Sequence, residues 1–369
     1  MTTSTSPYTA PMFMFPSTAR RLLTLCSVGL APLWAAPALA APVPDPPPDR
    51  AILSYPALRP VVNTSIPVAL LFSDSPETPE TSGLLYRDTV TGRARVLAYH
   101  ANGLSTLARV RLLARNTGTQ ATHVELLRQG SATVPGPDPL VGQQTLLRYF
   151  ASGPRLGRTL QPGESAALYD SGPLLPDSVV SLLLDLDTSG PLELSVVIVG
   201  EKEQPDSLQL GNLPTLAPDQ FHQRGTFMAA QRTLSFVLPA GAAPVRLVLG
   251  GPDDPPLQGR DMLTGAAQQL KGNFGVLYDI SLEGAAGRLL AASPRGGLYQ
   301  GSLLLQDGQA PSQVLLGQGQ ALLDPAAPAF LWQLRTQRQR LLFVPANGSN
   351  MPLALVFYPR NTNRPPKGK

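Results

Sequence analysis

Cysteine is almost missing from this chain: Cys26 is the only one in 369 residues, and it lies in an amino-terminal stretch expected to be removed. A mature chain without thiols has no disulfides, no thiolate nucleophile and no cysteine-held metal. Histidine is nearly as scarce. His100, His123 and His222 stand far apart, without the short ligand spacings of zinc sites. Beyond the amino terminus no apolar run reaches the ~18 residues of a membrane helix. The sequence also lacks GxSxG, GxxxxGK[ST] and GxGxxG, which removes the hydrolase-elbow and nucleotide-loop readings. No cofactor and no metal are expected.

What is present begins with Arg20 and Arg21, followed by the apolar run "LLTLCSVGLAPLWAAPALA" ending in Ala38-Leu39-Ala40. This is the layout of a signal peptide, with cleavage expected after Ala40. Translation could also start at Met12 or Met14, which leaves that layout unchanged. The protein is thus expected to be exported to the periplasm, the cell envelope or the medium. The formal charge of +4 resides at the ends: the leader has two arginines and the tail "RNTNRPPKGK" four basic residues, which leaves residues 41–359 at −2. A body that is not basic has no electrostatic footing for nucleic acid. The tail, residues 360–369, is expected from its composition to be disordered.

Forty prolines and 33 glycines cut the chain into short apolar segments, a pattern of frequent turns that indicates an all-β architecture. Two β-sandwich-like domains in tandem are expected. A Pro-rich segment, 41–79, leads into an immunoglobulin-like sandwich over 80–200 with one short helix. A linker follows at 201–220, then a second sandwich or partly open barrel over 221–359. In the first domain "LARVRLLARNTGTQATHVELLRQ" alternates around "NTGT", and "VVSLLLDL" and "PLELSVVIV" flank "DTSG". Both read as hairpins. The helix is placed in "DPLVGQQTLLRYFASG" on the spacing of Leu140, Leu147 and Phe150, closed by Gly153. Pro162-Gly163 is the middle of a tight turn.

In the second domain "HQRGTF", "GNFGVLYDI", "SPRGGLYQG" and "PANGSNMPLALVFYP" follow one another. In that order they resemble the carboxy-terminal part of a group of uncharacterised secreted bacterial proteins, across residues 220–358. Some members carry an amino-terminal module named after copper amine oxidases, which this chain lacks. The resemblance implies an architecture and no activity.

The stretch "DQFHQRGTF" sets His222 beside Arg224, but a general base needs an orienting acid and a nucleophile, and the local sequence offers only Asp219 and Thr226. The favoured reading is a seam between domains. Gly225 would free the backbone at positive φ, and Arg224 would hydrogen-bond carbonyls through its fork of donors. "DLDTSG" mimics the start of a calcium loop, but Val196 stands where the bidentate glutamate belongs. A glycan or small-molecule site, possible enzyme activity included, would sit on second-domain loops. Trp332 lies in the strand-like "FLWQLR", so Tyr299, Arg295 and Arg224 are the candidate contacts. The function expected first is a non-catalytic envelope protein whose β-domains bind an envelope polymer, a surface layer or another secreted protein through loops and sheet edges.

Overall fold

Alternating apolar residues do build strands here, and some run far longer than the sequence pattern suggests. The computed structural model describes residues 52–201, 213–241, 243–308, 312–320 and 327–359. The expected leader, the basic tail and most of the expected linker lie outside the described residues. The fold is all-β, with three sheets and one α-helix among the described residues.

The largest sheet has ten strands. Its centre is a pair of very long antiparallel partners, β3 (Gly83–Ala101) and β8 (Ser178–Gly200). On one side of β3 come β2 (Ala69–Ser73), β9 (Arg224–Phe227), β12 (Gln258–Arg260) and β13 (Ala267–Gln269). On the far side of β8 two strands share its length. β4 (Ala108–Asn116) takes residues 192–200, and β5 (Thr122–Pro135) takes residues 178–188. Beyond them lie β7 (Ser165–Asp170), paired with β4, and β6 (Arg155–Leu160), paired with β5.

Neither expected hairpin is formed. β4 and β5 do not pair with each other but follow one another along β8, and β8 itself runs straight through "DTSG". The turn residues make a corner instead. The register slips between Val90 and Gly92 of β3, where Gly92 has φ 77°, and on β8 the slip falls at Ser189-Gly190-Pro191, where Pro191 has no N–H to give the ladder. The alternation continues through this corner without a phase change. Leu182, Leu184 and Leu186 before it, and Leu192, Leu194, Val196 and Ile198 after it, all enter one core. The sheet is therefore folded over its own apolar face. Pro162-Gly163 forms the expected turn, with Gly163 at φ 77° and Glu164 N–H donating to the Gln161 carbonyl.

The second half is a sandwich of two sheets. One contains β1 (Val62–Ile66), β10 (Gln231–Val237), β14 (Leu277–Glu283), β19 (Arg338–Phe343), β16 (Leu298–Gln306) and β17 (Gln313–Gln320), in that order. The other contains β11 (Val245–Leu249), β20 (Leu353–Tyr358), β15 (Leu289–Pro294) and β18 (Phe330–Gln333). Their facing side chains, among them Phe236, Ile280, Phe343, Leu290, Leu355 and Phe357, form the main core, each fully buried apolar side chain contributing ~1.5–3 kcal/mol.

The two halves interlock across the expected boundary. β9, at the start of the expected second domain, extends the ten-stranded sheet, while β1, from the expected Pro-rich segment, edges the sandwich. The main core also takes Leu70, Phe72, Leu97, Leu146, Tyr149 and Leu183 from the first half. Of the expected linker, Pro214 and Leu216 exchange backbone hydrogen bonds with Leu84.

Helix α1 (Leu140–Ala151) is where it was expected, on a different face. Val141, Leu146, Tyr149 and Phe150 are buried, while Leu147 is exposed. Two neighbours fix that face. A Cβ on Gly130 of β5 would stand 2.0 Å from the Thr145 carbonyl oxygen, so only glycine lets the helix lie this close. On the opposite side the Gln143 side chain donates to the carbonyls of Gly301 and Gly317 in β16 and β17.

Candidate functional site

The site is built where β2 and β9 run side by side. Ser73 pairs with Arg224, so the segment leaving β2 and the segment entering β9 emerge together from the sheet. Asp74 N–H donates to the Gln223 carbonyl at 3.1 Å, and Asp219 N–H donates to Ser75 Oγ at 2.9 Å. Asp219 in turn accepts from the backbone N–H groups of Glu77, Phe221 and His222. Burial pulls the Asp219 carboxyl upward, but these N–H groups outweigh it and hold the group at about 2.

His222 is clasped between two carboxylates. Its Nδ1 lies 2.9 Å from Asp219 Oδ2 and its Nε2 2.8 Å from Glu77 Oε2. Burial raises the Glu77 carboxyl and so does Asp219, with His222 opposing them. The hydroxyls nearby are engaged elsewhere. Ser73 Oγ lies 2.9 Å from Nε2 of a second, fully buried histidine, His100, whose Nδ1 is 3.0 Å from the Pro76 carbonyl. Burial takes His100 down to about 4, so it is neutral near pH 7, with Nδ1–H donating to Pro76 and Nε2 accepting from Ser73. Thr226 turns to Asp88 and Tyr86. The arrangement holds an acid-flanked histidine whose two ring nitrogens, among the described residues, face carboxylates and no hydroxyl. His123, the third histidine, lies on β5 against Thr159.

Beside this clasp is a cavity of about 110 Å³ lined by Phe72, Asp74, Glu77, Tyr99, Phe274, Asn347 and Gly348. Asp74 Oδ1 is sealed from solvent and has no hydrogen-bond donor. Burial, followed by Glu77 and Asp219, raises the Asp74 carboxyl well above the usual carboxylate range. Sequence reasoning named Asp219 and His222 but missed Asp74 and Glu77. "SDSPE" has no local signal, because its meaning comes from a strand 150 residues further on.

The three candidate contacts fare differently. Arg224 is 2% exposed, and it donates to Asp261 and to the carbonyls of Leu85 and Leu216. It is the seam residue of the favoured reading, with no surface left for a ligand. The glycine beside it, Gly225, does not use positive φ. Its role is close approach, because a Cβ there would meet the Arg260 carbonyl oxygen at 3.0 Å. Arg295 is half-buried in the turn from β15 to β16, with its Nε on the Pro294 carbonyl at 2.6 Å. Tyr299 is not a loop aromatic. It sits in β16 opposite Gly319, with no exposed surface and no partner for its hydroxyl. A strand with core on both faces buries an aromatic that alternation alone would leave free. Asp185 of "DLDTSG" is likewise committed, to Arg95 and Tyr149.

No family model matches the chain, and no curated protein matches it. Among solved structures it shows likeness to the exported protein XepA of PBSX, at 10% identity over 75% of this chain and 85% of that one, with a TM-score of 0.19. It also shows likeness to a Macrobrachium rosenbergii nodavirus structure, at 12% identity over 88% and 98%, with a TM-score of 0.14. Scores this low carry neither fold nor function across.

Proposed function

We propose that this chain is an exported, non-catalytic interaction module of the cell envelope, working through the edges of its sheets. The observation that carries the reading is β6. Among the described residues it pairs only with β5, its residues from Arg155 to Thr159 are exposed, and Leu156 projects with essentially its whole surface free. A strand with one unpaired edge and an outward leucine is a template for a partner strand. The saturated histidines support the non-catalytic half of the reading, and the leader sequence supports export. No helix among the described residues is long and apolar enough to cross a membrane.

The test is a photo-crosslinking side chain at position 156, compared with one at Leu175, which is also exposed but lies outside every strand. A discrete adduct at 156 alone is expected in the envelope fraction, on a chain that begins at Ala41. Equal labelling at both positions, no adduct at 156, or a chain that retains Cys26 overturns the proposal.

A further inference from the structure

We propose that β1 is the contact through which two copies of this chain pair, strand against strand about a two-fold axis at Thr64. The inference does not depend on the β6 edge, which belongs to another sheet. It starts from what β1 lacks. Exposed edge strands are ordinarily guarded by charged side chains, and β6 carries Arg155 and Arg158. β1 closes one end of the six-stranded sheet and, among the described residues, pairs only with β10. Four of its five residues are exposed, yet no charged residue occurs between Arg59 and Asp74. Apolar surface gathers there as well. Val61 is 72% exposed, Val62 42% and, on the neighbouring β10, Val237 56%. Pro60 and Pro67 flank the strand and, having no N–H to give, confine pairing to the residues between them.

The order of the residues defines the partner. In "VNTSI" an antiparallel second copy centred on Thr64 sets Val62 opposite Ile66, Asn63 opposite Ser65 and Thr64 opposite Thr64. Each is a favourable cross-strand pair: two β-branched apolar side chains, two hydrogen-bonding ones, and two threonines. The faces match too. The register of β1 on β10 puts Val62, Thr64 and Ile66 on the side of Ser235, Thr233 and Gln231, and Asn63 and Ser65 on the side of Leu234 and Arg232. With Thr64 opposite its own copy, both chains turn the same face to the same side, and two six-stranded sheets join into one. A shift of one residue would set Val62 opposite Ser65 and turn the inner face of one chain outward. The self-matching order selects a second copy over an unrelated strand, which would need no such symmetry. The inner side of the same edge is also left incomplete in a single copy. Asn63 and Ser65 stand at a cavity of about 360 Å³ lined by Leu58, Leu234, Phe236, Leu247 and Leu249 among others, so the two sheets are not packed shut at this margin. A second β1 laid beside the first runs along it.

The test uses the chain from Ala41 onward, which contains no cysteine. Sedimentation velocity from about 1 to 500 μM, the span suited to a small interface, is expected to show monomer giving way to dimer. Thr64→Cys is expected to form an intermolecular disulfide on mild oxidation about tenfold faster than Asn63→Cys or Ser65→Cys, whose own copies lie two positions apart in the register, beyond the Cα separation of about 7 Å that a disulfide spans. Thr64→Lys brings two ammonium groups together at the axis and is expected to weaken the dimer about tenfold or more, as like charges directly opposite repel. A chain that stays monomeric, one that grows into larger polymers, equal crosslinking at positions 63, 64 and 65, or an unchanged dimer in Thr64→Lys overturns the proposal.

Discussion

Two buried polar side chains, Arg95 in the folded-over sheet and Tyr299 in the sandwich, stand in opposite surroundings. In the folded-over sheet, β3 and β8 have apolar neighbours on both faces, and a full arginine is placed between them and the second half. Arg95 has no exposure. It grips Asp185 through Nε and Nη2, donates from Nη1 to the carbonyls of Ala230 and Gly275, and reaches the Tyr149 hydroxyl. Burial works against its charge, but Asp185 and Tyr149 more than compensate, and the guanidinium is held protonated. In the sandwich the buried Tyr299 hydroxyl is left with nothing. Arg95, placed where elements from both halves meet, is a tie between them, whereas the Tyr299 hydroxyl inside the two-sheet core is only a cost.

Breaking the tie is expected to have the largest effect. Arg95→Met strands Asp185, Tyr149 and two carbonyls, and is expected to lower the unfolding free energy by about 3–5 kcal/mol, as for removal of one partner of a buried ion pair. Urea denaturation measures this, and a loss below about 1 kcal/mol would show that the network ties nothing. The double change Arg95→Met with Asp185→Leu should recover much of the loss.

His100 sharpens the contrast by pH. Its folded value of about 4 lies below the ordinary 6.5, so the unfolded chain binds the proton first. Its contribution is intact above pH 6.5 and is lost as pH falls toward 4, to a limit of about 3 kcal/mol. Asp74 and Glu77, both raised, act in the opposite sense, since the folded state takes their protons first. The test is therefore the slope: His100→Gln should lose less stability between pH 7 and 4.5 than the native chain, whatever its stability at pH 7. An equal slope in both proteins would refute the assignment.

Tyr299→Phe is expected to have the smallest effect, neutral to about 1 kcal/mol stabilising, because it removes a hydroxyl that has no partner. Tyr149→Phe should instead destabilise, since that hydroxyl donates to Asp185 at 2.7 Å. If the two changes have equal effects in thermal melts, the distinction between the two hydroxyls fails.

The sequence made the architecture class readable, together with the helix, the Pro162-Gly163 turn and the donor role of Arg224. Each depends on a local pattern or on the donor chemistry of a single residue. Period-2 alternation did not reveal the corner of the long strands, because a strand that bends keeps its phase and looks like two strands around a turn. The face of α1 was hidden for a related reason: the strands that cover it, β5 at Gly130 and the distant β16 at Gly301, decide which side is buried. Arg95 left one readable trace. It alternates in phase with Leu97 and Tyr99, and opposite them stand Ala94, Val96 and Ala98, so neither face of that strand was free to be wet. The Asp74–Glu77 cavity left none, since its parts come from β2, β3 and loops near Phe274 and Asn347, which meet only in the folded chain.

The pairing pattern has a consequence in time. Gly83 of β3 faces Ile198, Leu70 of β2 faces Phe227, and Val62 of β1 faces Ser235. The earliest strands of the chain thus find these partners more than 100 residues further along, in its middle third. Topologies dominated by such distant contacts close slowly, and a nascent chain shorter than about 200 residues has the long β3 without its main partner. Such a chain stays open until synthesis is well advanced, accessible to any machinery that requires an extended substrate and, by the same token, to aggregation through its waiting edges.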